Sequence, residues 1–463
     1  MSSPTTPTMV DSGISITDSG VANLKICIIG AGMGGLTTAL SLAAAGFRNV
    51  EVFESASDLG FVGAGIQMAP NMARVLDRLG VWKEIAAEAV VLNETSIREG
   101  ATDEELAHVD LKYIKQDFGY EHMVGHRSAL ARGIYNGCKR YPAVKFNFGT
   151  VCEDIDVVSD RPSFKVVYRK DASKAPANVT CDVLLGADGI KSNTREAMLK
   201  QLKADAQVID THQAAYRIML TREQMKSDPQ LLELIDSDKV IRWIGEKRHI
   251  IAYPVSSKQI YNLSTTQPDV NFASATNATY TTKGSKKQML AVFGDYCPMI
   301  QRMLDLVPEG EVCEWKLRVH QPLPTWVVNS TALVGDACHP TLPHLAQGAA
   351  AAIEDAAVLG VVLAKIPDAS SKNINKALRI YEQVRKARAE TLVGIAAASG
   401  KEMHLGAGAA KEERDKAFAA LRASGGKGHV PDRWADAEVQ KMIYGFDCLS
   451  EAERAFEQHF DSI

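Results

Sequence analysis

Gly30, Gly32 and Gly35 stand at GxGxxG spacing directly after the apolar run of residues 25–29. This pattern can cradle phosphates. Gly30 permits the tight turn, Gly32 lets the backbone approach a pyrophosphate, and Gly35 lets the next helix pack on the strand. The start of that helix supplies free N–H groups and a positive dipole end. Glu54, closing the following strand, is the expected acceptor for ribose hydroxyls. Its charge disfavours a 2′-phosphate, which suits FAD or NAD and not NADP. Glycine-rich turns also occur without nucleotide, but the preceding strand, the following helix and Glu54 together make this a nucleotide site.

Two further motifs follow. One is Leu184-Leu185-Gly186-Ala187-Asp188-Gly189. The other is Val334-Gly335-Asp336-Ala337-Cys338-His339-Pro340, followed by Gly348-Ala349-Ala350. In this order the three motifs resemble those of the class A flavoprotein aromatic hydroxylases, and more closely the salicylate-hydroxylase-like branch. The resemblance spans roughly residues 24–400. It implies bound FAD and a monooxygenase that hydroxylates a small phenol or hydroxybenzoate through a flavin C4a-hydroperoxide, with O2 and NADH or NADPH as co-substrates. By the same resemblance, Asp336 holds the ribityl chain, Pro340 lies near the isoalloxazine, and the helix from Gly348 and Ala349 faces its pyrimidine edge. A helix start suits the negative charge of reduced flavin. Arg127 matches the family arginine that contacts FAD, although Ser128-Ala129 depart from the usual Ala-Asp. Gly65, in Gly63-Ala64-Gly65-Ile66, matches the loop beside the flavin. Asp188 matches a residue linked to both cofactors, with a plain turn residue as the alternative. No second GxGxxG with a following acidic residue is present, so a nicotinamide cofactor must bind transiently.

Hydroxylating a phenol calls for a group that takes or stabilises a proton, a cation for the anionic substrate, and exclusion of water. His344, four residues before Gly348, is the candidate base, since imidazole titrates near neutrality. The alternative is a hydrogen-bonded loop histidine. Tyr216 and Arg217 open the second sheet, where the resemblance implies substrate contacts; alternation puts them on opposite faces, so one of the two can be structural. Arg195, after the Asp188-Gly189 motif, is a further candidate, against a salt-bridge role. Trp243 and Tyr253 are candidate pocket walls, against plain core.

These residues need a scaffold. Residues 25–29, 34–45 and 50–54 form a strand–helix–strand unit, with Gly46 as the helix C-cap. Residues 144–148, 151–158, 163–169 and 179–185 are further strands. Strands at 214–220, 239–245, 249–255 and 260–266 have the alternation of an antiparallel sheet, and a long helix runs from 348 to about 364. The expected fold is α/β. A discontinuous Rossmann-type FAD-binding domain (24–93, 121–208 and 323–400) carries an inserted, mainly antiparallel substrate domain (94–120 and 209–322). A disordered tail covers 1–23 and a helical C-terminal segment covers 401–463.

Bulk properties narrow the rest. The chain has 463 residues, 46% of them hydrophobic, and a net charge of −4 with both signs interspersed. No basic stripe points to nucleic acid. The eight cysteines have irregular spacing and no CxxC, as expected of free thiols in a reducing compartment and not of a metal site. Neither a secretory nor a mitochondrial leader is read at the start, and the apolar stretches are too short for a membrane span. A cytoplasmic enzyme is expected, with a homodimer as a candidate assembly. Two alternatives stay open: a secondary-metabolism tailoring monooxygenase acting on a polyketide phenol, and a non-catalytic FAD-binding module.

Overall fold

In a computed structural model of the protein, residues 16, 18–60, 64–169, 173–270, 281–424 and 430–463 are described. The strand Lys25–Ile29 sits at the centre of a six-stranded sheet. It pairs in parallel with Asn49–Glu54 on one side and with Val183–Gly186 on the other. Val144–Phe148 extends the sheet beyond Asn49–Glu54, and Thr331–Leu333 extends it beyond Val183–Gly186. Strands buried on both faces read as continuous apolar runs, which explains Ile26 through Ile29. The helix Met33–Ala45 returns the chain from the first strand to the second and ends at Gly46, in the left-handed conformation. The helix Gly348–Ala364, buried along nearly its whole length, packs against it.

A second sheet has eight strands. In spatial order they are Thr281–Lys283, Cys313–His320, Val208–Thr221, Ile260–Pro268, Arg248–Val255, Lys239–Gly245, Glu94–Glu99 and Glu105–Asp110. Every pairing is antiparallel except that of Lys239–Gly245 with Glu94–Glu99. One face is covered by the helices Pro229–Asp236, Lys286–Val292 and Pro298–Asp305, which close an apolar cluster with Tyr216, Trp243 and Tyr261. The opposite face turns toward the nucleotide-binding sheet.

Three expectations need correction. The strand expected over 179–185 is two strands in different sheets, Ala177–Thr180 and Val183–Gly186. The break at Cys181-Asp182 is built by hydrogen bonds: Cys181 N donates to Pro162 O (3.0 Å) and Lys25 N to Asp182 Oδ2 (2.8 Å). The strand expected at 214 starts at Val208, with a register shift between Asp210 and Gln213. Of the tail expected over 1–23, residues 1–15 and 17 lie outside the described residues. Its end is ordered, because Asp18 caps a helical turn at Ser19–Ala22 and Val21 is fully buried.

The C-terminal segment contains the helices Ala409–Ala423, Ala437–Tyr444 and Cys448–His459. Among the described residues no helix is long and apolar enough to cross a membrane. All eight cysteines are free thiols.

Candidate active site

A cavity of about 380 Å³ opens between the two sheets. Its floor is the helix start at Gly32–Gly34, residues Gly65, Ile66 and Gln67 of the strand Gly65–Met68, Arg127, and the loops carrying Ala187, Gly189 and Gly335-Asp336. One end is formed by Thr341–Pro343, Ala346 and the helix start Gly348-Ala349. The roof is the open face of the eight-stranded sheet, which contributes Arg217, His249, Ile251, Tyr253, Asn262, Ser264 and Thr266.

The floor fits a flavin dinucleotide. Gly30 has φ +101°, and a Cβ there would lie 2.3 Å from the Ala187 carbonyl oxygen, so only glycine makes this turn. Neither helix facing the cavity, Met33–Ala45 or Gly348–Ala364, has a side-chain cap. Their first N–H groups are therefore left for a ligand. Glu54 closes its strand against the Gly30 turn, accepting from Ala31 N (2.8 Å) and Ala56 N (2.7 Å), which fixes the carboxylate where a ribose would pass. Asp336 is exposed at the cavity edge. Gly65 comes so close to the roof that a Cβ would lie 2.5 Å from Asn262 Cγ and 2.7 Å from Tyr253. Gly65 N donates to Asn262 Oδ1 (2.7 Å), and the buried Asn262 Nδ2 has no partner among the described residues. Gly63 lies outside the described residues.

The other expected cofactor residues act behind this surface. Gly35 packs onto the Gly30 carbonyl. The Asp188 carboxylate accepts from Ser192 Oγ (2.5 Å), Thr194 N (3.0 Å) and Thr194 Oγ1 (3.1 Å), holding the loop whose neighbours Ala187 and Gly189 reach the cavity. Pro340 is buried just before Thr341.

The expected catalytic residues divide. Arg217 faces the cavity with its guanidinium 4.7 Å from the Trp315 ring centre. Among the described residues it has no carboxylate partner, and burial together with Arg127 lowers its pKa. Tyr253 also faces the cavity, and burial pushes its hydroxyl above the usual range, keeping it a neutral donor. Tyr216 and Trp243, by contrast, point to the other face of the sheet, into the helix-covered cluster. Trp243 Nε1 is spent on Asp103 Oδ1 (2.7 Å). Arg195 is a staple: its guanidinium donates to the carbonyls of Gly189 (3.5 Å), Ile190 (2.7 Å) and Ala337 (3.2 Å), tying the second motif to the third.

His344 is 1% exposed and does not line the cavity. It packs behind His249, ring centres 5.3 Å apart, and burial holds its pKa at about 3. His249 takes the cavity position instead. Strand alternation could have found it, since a wall containing Tyr253 also presents residues 251 and 249.

A buried ion network supports the Gly335-Asp336 loop. Asp355 Oδ2 accepts from Gly335 N (3.0 Å) and faces His339 Nε2 (2.6 Å), while Oδ1 accepts from Arg385 Nε (2.8 Å). Arg385 also meets Glu354 (2.5 Å), which in turn binds Arg388 (2.9 Å) and Asn71 (2.7 Å). Two acidic residues inside an apolar helix were the visible signal for this network.

The dinucleotide cradle thus opens onto the wall of the eight-stranded sheet, with the cavity between them. The family model described as FAD binding domain matches residues 23–396, and the chain belongs to that family. It is 30% identical to the FAD-dependent monooxygenase atnJ of Arthrinium sp, over 93% of this chain and 96% of the relative. It is also 30% identical to a 3-hydroxybenzoate 6-hydroxylase of Klebsiella oxytoca, over 85% and 91%. A solved salicylate hydroxylase substrate complex has the same fold, with a TM-score of 0.74 at 22% identity over 94% of this chain and 98% of that one.

Proposed function

We propose that the protein is an FAD-dependent monooxygenase that uses NAD(P)H and O2 to hydroxylate a compact phenol or hydroxylated aromatic acid. The observation that carries this reading is Arg217, a cation without a carboxylate partner among the described residues, facing the same chamber as the flavin cradle. Bound FAD would supply the redox chemistry and the activated oxygen. The chain's own residues bind and orient the ring. Arg217 attracts a carboxylate or phenolate, Ile251 and Tyr253 offer apolar surface, and Asn262, Ser264 and Thr266 offer hydrogen bonds. A charge interaction in a partly enclosed cavity is worth more than in bulk water. The relative from Klebsiella oxytoca is named for a hydroxybenzoate, the substrate type that this pairing of cation and apolar wall suits. The free thiols support a reducing, cytosolic place of work.

The test is NAD(P)H oxidation and oxygen uptake by the flavin-loaded protein across phenols, hydroxybenzoates and fused-ring phenols. Faster oxidation with hydroxylated product from a single-ring acid supports the reading. Preference for a fused-ring phenol moves it to a biosynthetic tailoring enzyme, and no response to any aromatic refutes it. Arg217→Met should lower kcat/KM for an anionic aromatic by about 2 kcal/mol, roughly 30-fold, with flavin content unchanged. Steady-state kinetics beside flavin absorbance checks this.

A further inference from the structure

His249 lines the cavity from the strand Arg248–Val255, and its Nδ1 lies 2.6 Å from Nε2 of His404. At that distance one nitrogen donates and the other accepts. With Nδ1 committed to His404, Nε2 is the His249 nitrogen left for a ligand. His404 follows the long helix Ser371–Met403 and is half-buried, so the pair runs from the chamber wall toward the surface. His344 packs against both rings and bonds to neither; its two nitrogens have no partner among the described residues. The other groups bearing on His249 are Arg242, which is paired with Asp432, and Arg217 and Tyr253 on the chamber side.

We propose that His249 and His404 form a proton conduit that carries the phenol proton of a bound substrate from the chamber to solvent. The inference rests on the hydroxylase reading above. In the step, the substrate O–H bond breaks as its proton moves to His249 Nε2. The Nδ1–H bond of His249 breaks as that proton passes to His404 Nε2, and His404 Nδ1 releases its proton to water. Both imidazoles end neutral in the opposite tautomer, and the phenolate stays beside Arg217. Reverse passage, as product leaves in its phenol form, restores the first tautomers. Burial holds His404 at about 4 and His249 well below its usual value, so both rings rest neutral and the transfers must be concerted, with no imidazolium formed between them. His404 lies beyond residue 396, where the family match ends. The outer half of the conduit therefore belongs to the C-terminal helical segment.

The experiment mixes flavin-loaded protein with para-nitrophenol below that phenol's own pKa and follows phenolate absorbance in stopped flow. His404→Gln keeps an amide nitrogen near the Nε2 position but cannot relay a proton. It should slow ionisation about a hundredfold while binding and flavin content hold. In His404→Ala, added imidazole should restore the rate, a rescue that a packing role does not give. Ionisation by His404→Gln at the wild-type rate overturns the conduit, as does loss of ionisation in His344→Gln with His404→Gln unaffected. If wild-type protein neither ionises phenols nor oxidises NAD(P)H in response to them, the hydroxylase reading falls and takes the conduit with it. Wild-type turnover with unaffected His404 variants refutes the conduit alone.

Discussion

Arg385→Leu is expected to lower the unfolding free energy by about 3–5 kcal/mol and to weaken FAD binding at the same time. Arg385 is fully buried and is held by Glu354 (2.5 Å), Asp355 (2.8 Å) and the Ala351 carbonyl (3.2 Å). Removing a buried cation strands its partners, and that penalty dominates the worth of the pair itself. Here the loss is shared, since Glu354 keeps Arg388 and Asp355 keeps His339. The functional effect travels through Asp355, which accepts from Gly335 N in the loop whose Asp336 borders the flavin chamber. Urea unfolding should show a lower midpoint with an unchanged slope, and flavin titration a larger Kd. Arg388→Leu, at a partly exposed position, should cost less. An Arg385→Leu midpoint equal to that of the parent would show that the network does not hold the loop.

The second large effect is acid instability. Burial holds His122 and His344 at about 3, each 1% exposed. In the unfolded chain both return to about 6.5. Between those values the unfolded state binds protons that the native state refuses, so stability falls as pH drops below about 6.5. Each group then costs about 2 kcal/mol by about pH 5, a large part of a typical total. Asp355, held to about 2 with His339 the leading attraction against burial, stays ionised throughout this window, and its contribution is lost only at stronger acid. His339 works in the opposite sense. Asp355 raises its pKa well above the usual value, so its contribution is present in acid and is lost only as pH rises through that raised value. The measurement is unfolding free energy against pH. His122→Gln should reduce the slope below pH 6.5 by about one proton, whatever it does to stability at neutrality. An unchanged slope would mean that His122 is not held neutral in the native state.

The sequence by itself determined the nucleotide-binding half, because its signals are local. The turn at Gly30 needs a positive φ, the apolar run 25–29 needs a covered strand, and Glu54 needs only to close the next strand. The acidic pair Glu354-Asp355 stands inside an apolar helix, but only the fold brings Arg385, Arg388 and His339 to it. The substrate side was legible only as pairs of possibilities. Alternation separates Tyr216 from Arg217 and Trp243 from Arg242, but it does not say which face three helices will cover. Those helices lie far along the chain, at 229–236 and 286–305, and their packing sent Tyr216 and Trp243 into the core. His344 was displaced for a related reason: its distance along the chain from Gly348 does not determine where a loop side chain points. The hydrogen bond between His249 and His404 spans 155 positions of sequence. Only tertiary packing of the long helix against the open sheet could bring those rings together, since no local pattern encodes a contact between side chains so far apart along the chain.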